Sequence, residues 1–258
     1  MHTVKRLLII SFSTIARDPR VMRQIQLLAK QYQITVAGFG DKPDEKLDFV
    51  QLHLPQPHLW CKLIWAAQLL TRQFEQRYWR KPYVREGLRQ LADQSFDAIL
   101  ANDVSALPLA LKLAQGKPVL LDAHEYTPKE FEDSWRWRLF FGRYNHYLCQ
   151  RYLPQVAGMT TVCQGIADEY AKQYGVQASV VHNAPAYQNL SPSAPQEGRI
   201  RLIHHGAAIR SRHMETAIEM MRHLDSRFTL DFMLIDTDPV YLHELKELAK
   251  GDERIRFI

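Results

Sequence analysis

Val119-Leu120-Leu121-Asp122-Ala123-His124-Glu125 passes from a short apolar run straight into three ionisable side chains. The apolar part is too short for a helix and reads as a buried strand of a parallel sheet. Open α/β sheets bind their ligands just beyond the carboxyl ends of such strands. A histidine flanked by two carboxylates there suits proton chemistry or sugar recognition. One such exit alone is also an ordinary polar turn, so its meaning rests on its company.

The rest of the chain supplies that company. Residues 5–11 read as a strand, followed by a helix over 19–31 that tolerates Pro19 in its first turn. A strand over 34–39 ends in the turn Gly40-Asp41-Lys42-Pro43, and another over 50–54 is broken by Pro55-Gln56-Pro57. Helices are predicted over 59–79, 83–92 and 106–114, with a strand over 97–101 and the quoted strand over 119–122. A long helix over 135–153, a strand over 159–162, a helix over 165–174 and a strand over 179–181 follow. Residues 184–198, rich in Pro, Ala and Ser, have the composition of a linker. A second β-α-β-α-β run then occupies residues 200–258.

This alternation predicts an α/β protein of two Rossmann-like domains, 1–187 and 199–258, joined by a linker over 188–198. The second run amounts to about one mononucleotide-binding half of a doubly wound domain. It therefore reads as cut short, with an apolar sheet edge left at its last strand.

At 258 residues the chain has ample apolar content for such cores. No run is long enough to span a bilayer, and Met1-His2-Thr3-Val4-Lys5-Arg6 is too short a start for a secretory leader. Cys61, Cys149 and Cys163 are scattered and odd in number, so reduced thiols in a cytoplasmic setting are expected. The histidines form no HExxH pattern, and no protein-held metal is expected. Residues 60–89 carry Lys62, Arg72, Arg77, Arg80, Lys81, Arg85 and Arg89 against Glu75 and Glu86, an excess equal to the whole chain's +5. Charge so localised argues for one directed surface and against a nucleic-acid partner.

Two apolar stripes recur at helical spacing. One is Trp60, Leu63, Ile64, Ala67, Leu70, Phe74 and Tyr78; the other is Trp137, Phe140, Phe141, Tyr144, Tyr147, Leu148 and Tyr152 with arginines between. Core packing is the ordinary meaning of such stripes and the first reading of both. Tryptophans beside arginines also suit a bilayer interface, so peripheral attachment to an anionic membrane is the second.

Polar residues follow each main strand: Thr14 through Arg20, then Asn102-Asp103, His124-Glu125, His182-Asn183, and His204-His205-Gly206 leading to Arg210 and Arg212. Parallel strands gather such exits on one edge, which favours a polar cleft. In this order the segments resemble the retaining GT-B glycosyltransferases of family 4, which includes sucrose and mannosyl transferases. The marks are Asp18-Pro19-Arg20-Val21, Asn102-Asp103 before the Leu107-Pro108 helix, and Asp122-Ala123-His124-Glu125. Thr161-Val162-Cys163 leading through Tyr174-Gly175 to Val180-Val181-His182-Asn183 adds to them, as does His205-Gly206 with Arg212 and Glu215 beyond.

The resemblance implies sugar transfer, with retention, from a nucleotide-diphosphate-sugar donor to a glycan or lipid-linked acceptor. It implies no cofactor and no obligatory metal, and a cytoplasmic protein, peripheral at the inner face of the membrane if attached at all. His124 would be the active-site histidine near the transferred sugar, framed by Asp122 and Glu125. Asn102 and Asp103 would line the acceptor side, with Asp18 and Arg20 at the first loop. Gly206, Arg210 and Arg212 would serve the donor diphosphate, where glycine lets the backbone approach and a guanidinium fork matches phosphate. Asn183 would sit at the hinge. Ordinary readings stand beside these: Asp18 as a helix N-cap, Asp122 or Asn102-Asp103 as turn residues, and Arg210 with Arg212 as a solvated pair. Positive charge at a helix start opposes the dipole, so a bound anion is the better account of at least one arginine.

Two departures stand out. Ser11-Phe12-Ser13-Thr14 replaces the glycines frequent after the family's first strand, and no two glutamates show the family's donor-domain spacing, Glu244 and Asp252 coming nearest. A non-catalytic remnant binding a membrane or partner is therefore the alternative reading, with a nucleotide-sugar epimerase a weaker one. No GxGxxG follows a strand, which disfavours a dinucleotide-dependent dehydrogenase.

Overall fold

The computed structural model describes residues 4–194 and 196–258. Two compact units meet in the chain between Pro185 and Ala186. Strands of the first are β1 (Arg6–Thr14), β2 (Gln33–Phe39), β3 (Asp48–Gln51), β4 (Ala98–Asn102), β5 (Val119–Ala123), β6 (Gly158–Thr161) and β7 (Ser179–Val180). Its helices are α1 (Pro19–Leu28), α2 (Leu59–Leu70), α3 (Phe74–Trp79), α4 (Pro82–Leu91), α5 (Leu107–Leu113), α6 (Trp135–Trp137), α7 (Arg143–Tyr152) and α8 (Gln164–Tyr174).

The strands form one parallel sheet in the order β3-β2-β1-β4-β5-β6-β7. Helices cover both faces, so Leu7, Leu8, Ile9 and Ile10 of β1 are all buried, which is why the strand is an unbroken apolar run. Leu8 and Ile10 pack into the larger core with α5, while Leu7 and Ile9 pack with Val21 and Ile25 of α1. From β1 the chain winds outward through β2 and β3, then returns to lay β4 to β7 on the other side. The topological switch point therefore lies at the carboxyl ends of β1 and β4.

In the second unit β8 (Ile200–Ala207), β9 (Phe228–Ile235) and β10 (Ile255–Phe257) form a parallel sheet in the order β10-β9-β8. Helices α9 (Glu215–Met221) and α10 (Pro239–Leu248) pack against it through Ile218, Met221, Tyr241 and Leu245 around Phe232. The α/β class is as expected, with two parallel sheets.

Two expected helices are not continuous. The one predicted over 59–79 breaks into α2 and α3 at Arg72, whose φ is +58°. Thr71 Oγ1 donates to the Ala67 carbonyl at 2.8 Å, an internal bond that closes α2. The break turns Phe74 and Tyr78 into the core while leaving Leu59, Trp60, Leu63, Ile64 and Leu70 outside. Core packing is thus the wrong reading for the α2 part of that stripe. The helix predicted over 135–153 carries a π-helical turn, Arg138–Gly142, between α6 and α7. Tyr144, Leu148 and Tyr152 beyond it are buried as expected.

Candidate functional site

Strand register assembles the site. Ser11 of β1 pairs with Asn102 of β4, Asn102 with Asp122 of β5, and Asp122 with Thr160 of β6. A polar row therefore crosses four adjacent strands at the sheet's carboxyl edge, beside the switch point. Helix α1 closes over the row. Asp18 caps it, accepting the N–H groups of Arg20 and Val21 at 3.2 Å each, with Pro19 in the first position. Arg20 and Gln24, one helical turn apart, then face the sheet from one side of α1.

Both reach Asp122, which is buried. Arg20 grips the carboxylate through Nη2 and through Nε at 2.7 Å; Gln24 Nε2 and Thr160 Oγ1 each donate to it at 2.6 Å. Burial by itself would push this carboxyl up. Hydrogen bonds from His124, Arg20 and Thr160 together outweigh it and hold the group at about 2. Asp122 is therefore a fixed anion at neutral pH, suited to positioning and not to proton transfer.

The His124 backbone N–H donates to Asp103 Oδ1 at 2.9 Å, and Nε2 donates to Asn102 Oδ1 at 3.1 Å. Asp122 Oδ2 is 3.5 Å from Nε2, and Asp103 Oδ2 is 3.5 Å from Nδ1. Desolvation opposes charge on the ring, but Asp122 and Asp103 prevail and raise its pKa. Asp103 sits at φ +64°, a left-handed conformation that aspartate tolerates. Partial burial pushes its carboxyl up against the opposing pull of His124. The result is an imidazole held between acceptors and biased to donate from both nitrogens, which suits it to hydroxyl and oxyanion ligands.

The remaining candidates are placed differently. Glu125 is exposed and contributes only its carbonyl, which accepts from Tyr170 Oη at 2.9 Å, so it does not frame His124. Asp18 serves as the cap and also accepts from Ser13 Oγ at 2.7 Å. Asn183 is exposed and accepts from Arg23 Nη2. In the second unit Gly206 has φ +132°, and a Cβ there would stand 2.8 Å from Arg212 Nη1. Arg210 and Arg212 lie in a 3-10 turn ahead of α9, outside its first turn. Arg210 is neutralised within its own unit by Glu244 at 2.7 and 3.0 Å and Asp238 at 3.2 Å. Arg212 makes no ion pair among the described residues, so of the two it is the arginine open to an anion.

A family model for glycosyltransferase family 4 matches residues 20–184. The chain belongs to glycosyltransferase family 4. No curated protein sequence matches it. Among solved structures, Anabaena HepE in complex with UDP-glucose covers 98% of this family 4 chain at 15% identity and TM-score 0.63, over 68% of its own length. Sucrose-phosphate synthase from Thermosynechococcus elongatus covers 98% at 12% identity and TM-score 0.66, over 70% of its length. TarM covers 100% at 8% identity and TM-score 0.67, over 77% of its length. At such identities the likeness carries the fold, which is GT-B.

Sequence reasoning missed Gln24 and Thr160. A signal for Gln24 exists in its helical spacing from Arg20; Thr160 becomes visible only through the register of β5 with β6.

Proposed function

We propose that this family 4 chain transfers a sugar from a nucleotide-diphosphate-sugar to a glycan or lipid-linked acceptor, with retention. The cluster of Asn102, Asp103, Asp122 and His124 at the switch point carries this reading. The bond from the sugar's anomeric carbon to the diphosphate oxygen breaks, a bond to the acceptor hydroxyl oxygen forms on the same face, and the hydroxyl's proton passes to the departing diphosphate. His124, its Nε2–H given to Asn102, holds the sugar through Nδ1–H, with Arg20 and Asp122 fixing its orientation. Within the second unit, Arg212 and the backbone N–H groups near Gly206 offer the positive charge that a diphosphate leaving group requires. The complex of HepE with UDP-glucose makes uridine nucleotides the first donors to test. Calorimetry with UDP-, ADP- and GDP-sugars, followed by product analysis, tests the assignment. Binding of one donor, with transfer lost at least 100-fold in H124A, is expected; no heat from any donor refutes it and favours the non-catalytic reading.

We also propose attachment to an anionic membrane through the outer face of α2. Leu59 (70% exposed), Trp60 (76%), Leu63 (51%) and Ile64 (53%) point outward, and α2 packs beside the π-helical turn. Trp135 (62% exposed) and Leu139 extend the apolar face there. Residues 59–72 and 134–153 contain no acid and carry Lys62, Arg72, Arg136, Arg138, Arg143 and Arg151. Each basic residue near anionic lipid contributes roughly 1 kcal/mol. No helix among the described residues is long and apolar enough to cross a membrane. Flotation with phosphatidylglycerol vesicles at low and high salt tests the proposal, and absence of binding at low salt refutes it.

A further inference from the structure

A cavity of about 300 Å³ opens beside the His124 cluster within the first unit, at the small end of the range for ligand sites. The ends of β1 and β4 wall it through Phe12 and Asp103, and Glu130 follows the 3-10 turn after β5; α7 contributes Tyr144, and Lys81 enters from just before α4. Asp103 is shared, since the carboxylate that holds His124 also lines this space.

Lys81 is set among phenol rings, its Nζ 5.1, 5.8 and 5.2 Å from the ring centroids of Tyr78, Tyr83 and Tyr144. It makes no ion pair among the described residues. Tyr144 Oη is buried and has no hydrogen-bond partner. Two donors without protein acceptors thus line one cavity. Arg77, stacked on Trp65 at 4.4 Å, adds positive charge nearby. Glu130 is an exposed carboxylate at the cavity wall, its pKa raised by partial desolvation and by Asp103 and Glu125.

We infer that this cavity is the acceptor's head subsite and selects acceptors bearing an anionic group, phosphate or carboxylate, bound by Lys81 and Tyr144 with a hydroxyl at Asp103 and His124. Only the ligand's role as acceptor rests on the transferase reading; the anion site does not. Phe141 lines the cavity and is also 41% exposed beside the outward apolar face, so an anionic lipid headgroup and a soluble sugar phosphate both present the required chemistry.

Calorimetry on the full chain at pH 6.5 tests the site with octyl phosphate, glucose 6-phosphate and neutral octyl glucoside. At least one phosphate is expected to bind, about ten- to a hundred-fold more weakly in K81M, the usual loss for a hydrogen bond to a charge. Y144F is expected to weaken it a few-fold without lowering the unfolding midpoint, since that hydroxyl has no partner to lose. The better phosphate identifies lipid-borne or soluble acceptors. Equal affinity in K81M, or octyl glucoside binding as tightly as octyl phosphate, overturns the inference. The UDP-, ADP- and GDP-sugars are titrated separately: anion binding without binding of any of these donors sinks the transferase reading and leaves the site, while donor binding without anion binding sinks the site alone.

Discussion

Removing the Arg20 guanidinium tests whether the switch-point cluster is held as a unit. Truncating one partner of a buried ion pair costs about 3–5 kcal/mol, because the other charge is left in a poorly solvating environment. In R20M, Asp122 keeps Gln24 and Thr160 as donors at 2.6 Å, with His124 further off at 3.5 Å. The cost therefore falls near the lower limit, about 3 kcal/mol, or a drop of roughly 6–12 °C in the melting of the first unit. R20M/D122N removes the orphaned charge yet keeps an oxygen for Thr160 and Gln24, so it should recover more than half of that loss. The acid limb gives a second reading. Asp122 is depressed from 3.8 to about 2, so its contribution, about 2 kcal/mol, is complete above pH 4 and lost as pH falls through 2. Losing Arg20 raises that pKa and moves the loss to higher pH. Arg20 also opposes charge on His124, so the imidazole in R20M should titrate higher than in the wild type. Urea unfolding between pH 2 and 7, with histidine NMR titration, measures both. A loss under 1 kcal/mol in R20M, or a double variant no better than the single one, refutes the reasoning.

Burial, with Arg77 adding to it, lowers the Lys81 ammonium to about 7, while Tyr78, Tyr83 and Tyr144 are pushed upward and do not titrate there. Octyl sulfate, which does not titrate near neutrality, should therefore bind evenly below pH 6 and about tenfold more weakly per unit above pH 7; a flat profile from 6 to 9 in calorimetry contradicts this. G206A forces a side chain into a φ of +132° and against Arg212, so nucleotide-sugar affinity should fall at least tenfold while melting of the first unit is unchanged. Maleimide should label exposed Cys163 first and leave Cys149, buried with its thiol pushed up to about 12, unmodified until unfolding; mass spectrometry of a time course decides.

The fold was legible because a parallel sheet covered on both faces leaves its mark in each strand separately. Leu7 through Ile10 need no partner to be read as a buried strand; in β5 Val119 and Leu121 are buried as expected, but Leu120 between them is 43% exposed, so that run is covered on one face only at this point. The helix break at Arg72 left no such mark. Apolar spacing runs unbroken from Trp60 to Tyr78, and nothing in the pattern says that the chain turns there or which face of α2 meets water. That face is set by what α3 buries, a tertiary demand that periodicity does not encode.

For the site, each strand exit announced polar residues but not their mutual alignment. Asn102, Asp122 and Thr160 share a row only through the pairing of β4 with β5 and β5 with β6. Arg20 meets Asp122 across 102 positions of sequence. The arginines show how far sequence alone can be pushed. Arg210 and Arg212 read from sequence as charges at a helix start, where unpaired positive charge is unfavourable and calls for a counter-charge, but the structure sets both in a turn ahead of α9. Arg20 finds Asp122 and Arg210 finds Glu244, both supplied by later strands or helices of the same unit. Arg212 finds none among the described residues and instead lies over a glycine whose φ and missing Cβ leave it room. The packed structure thus separates Arg212, without a carboxylate partner among the described residues, from Arg20 and Arg210, which each hold one.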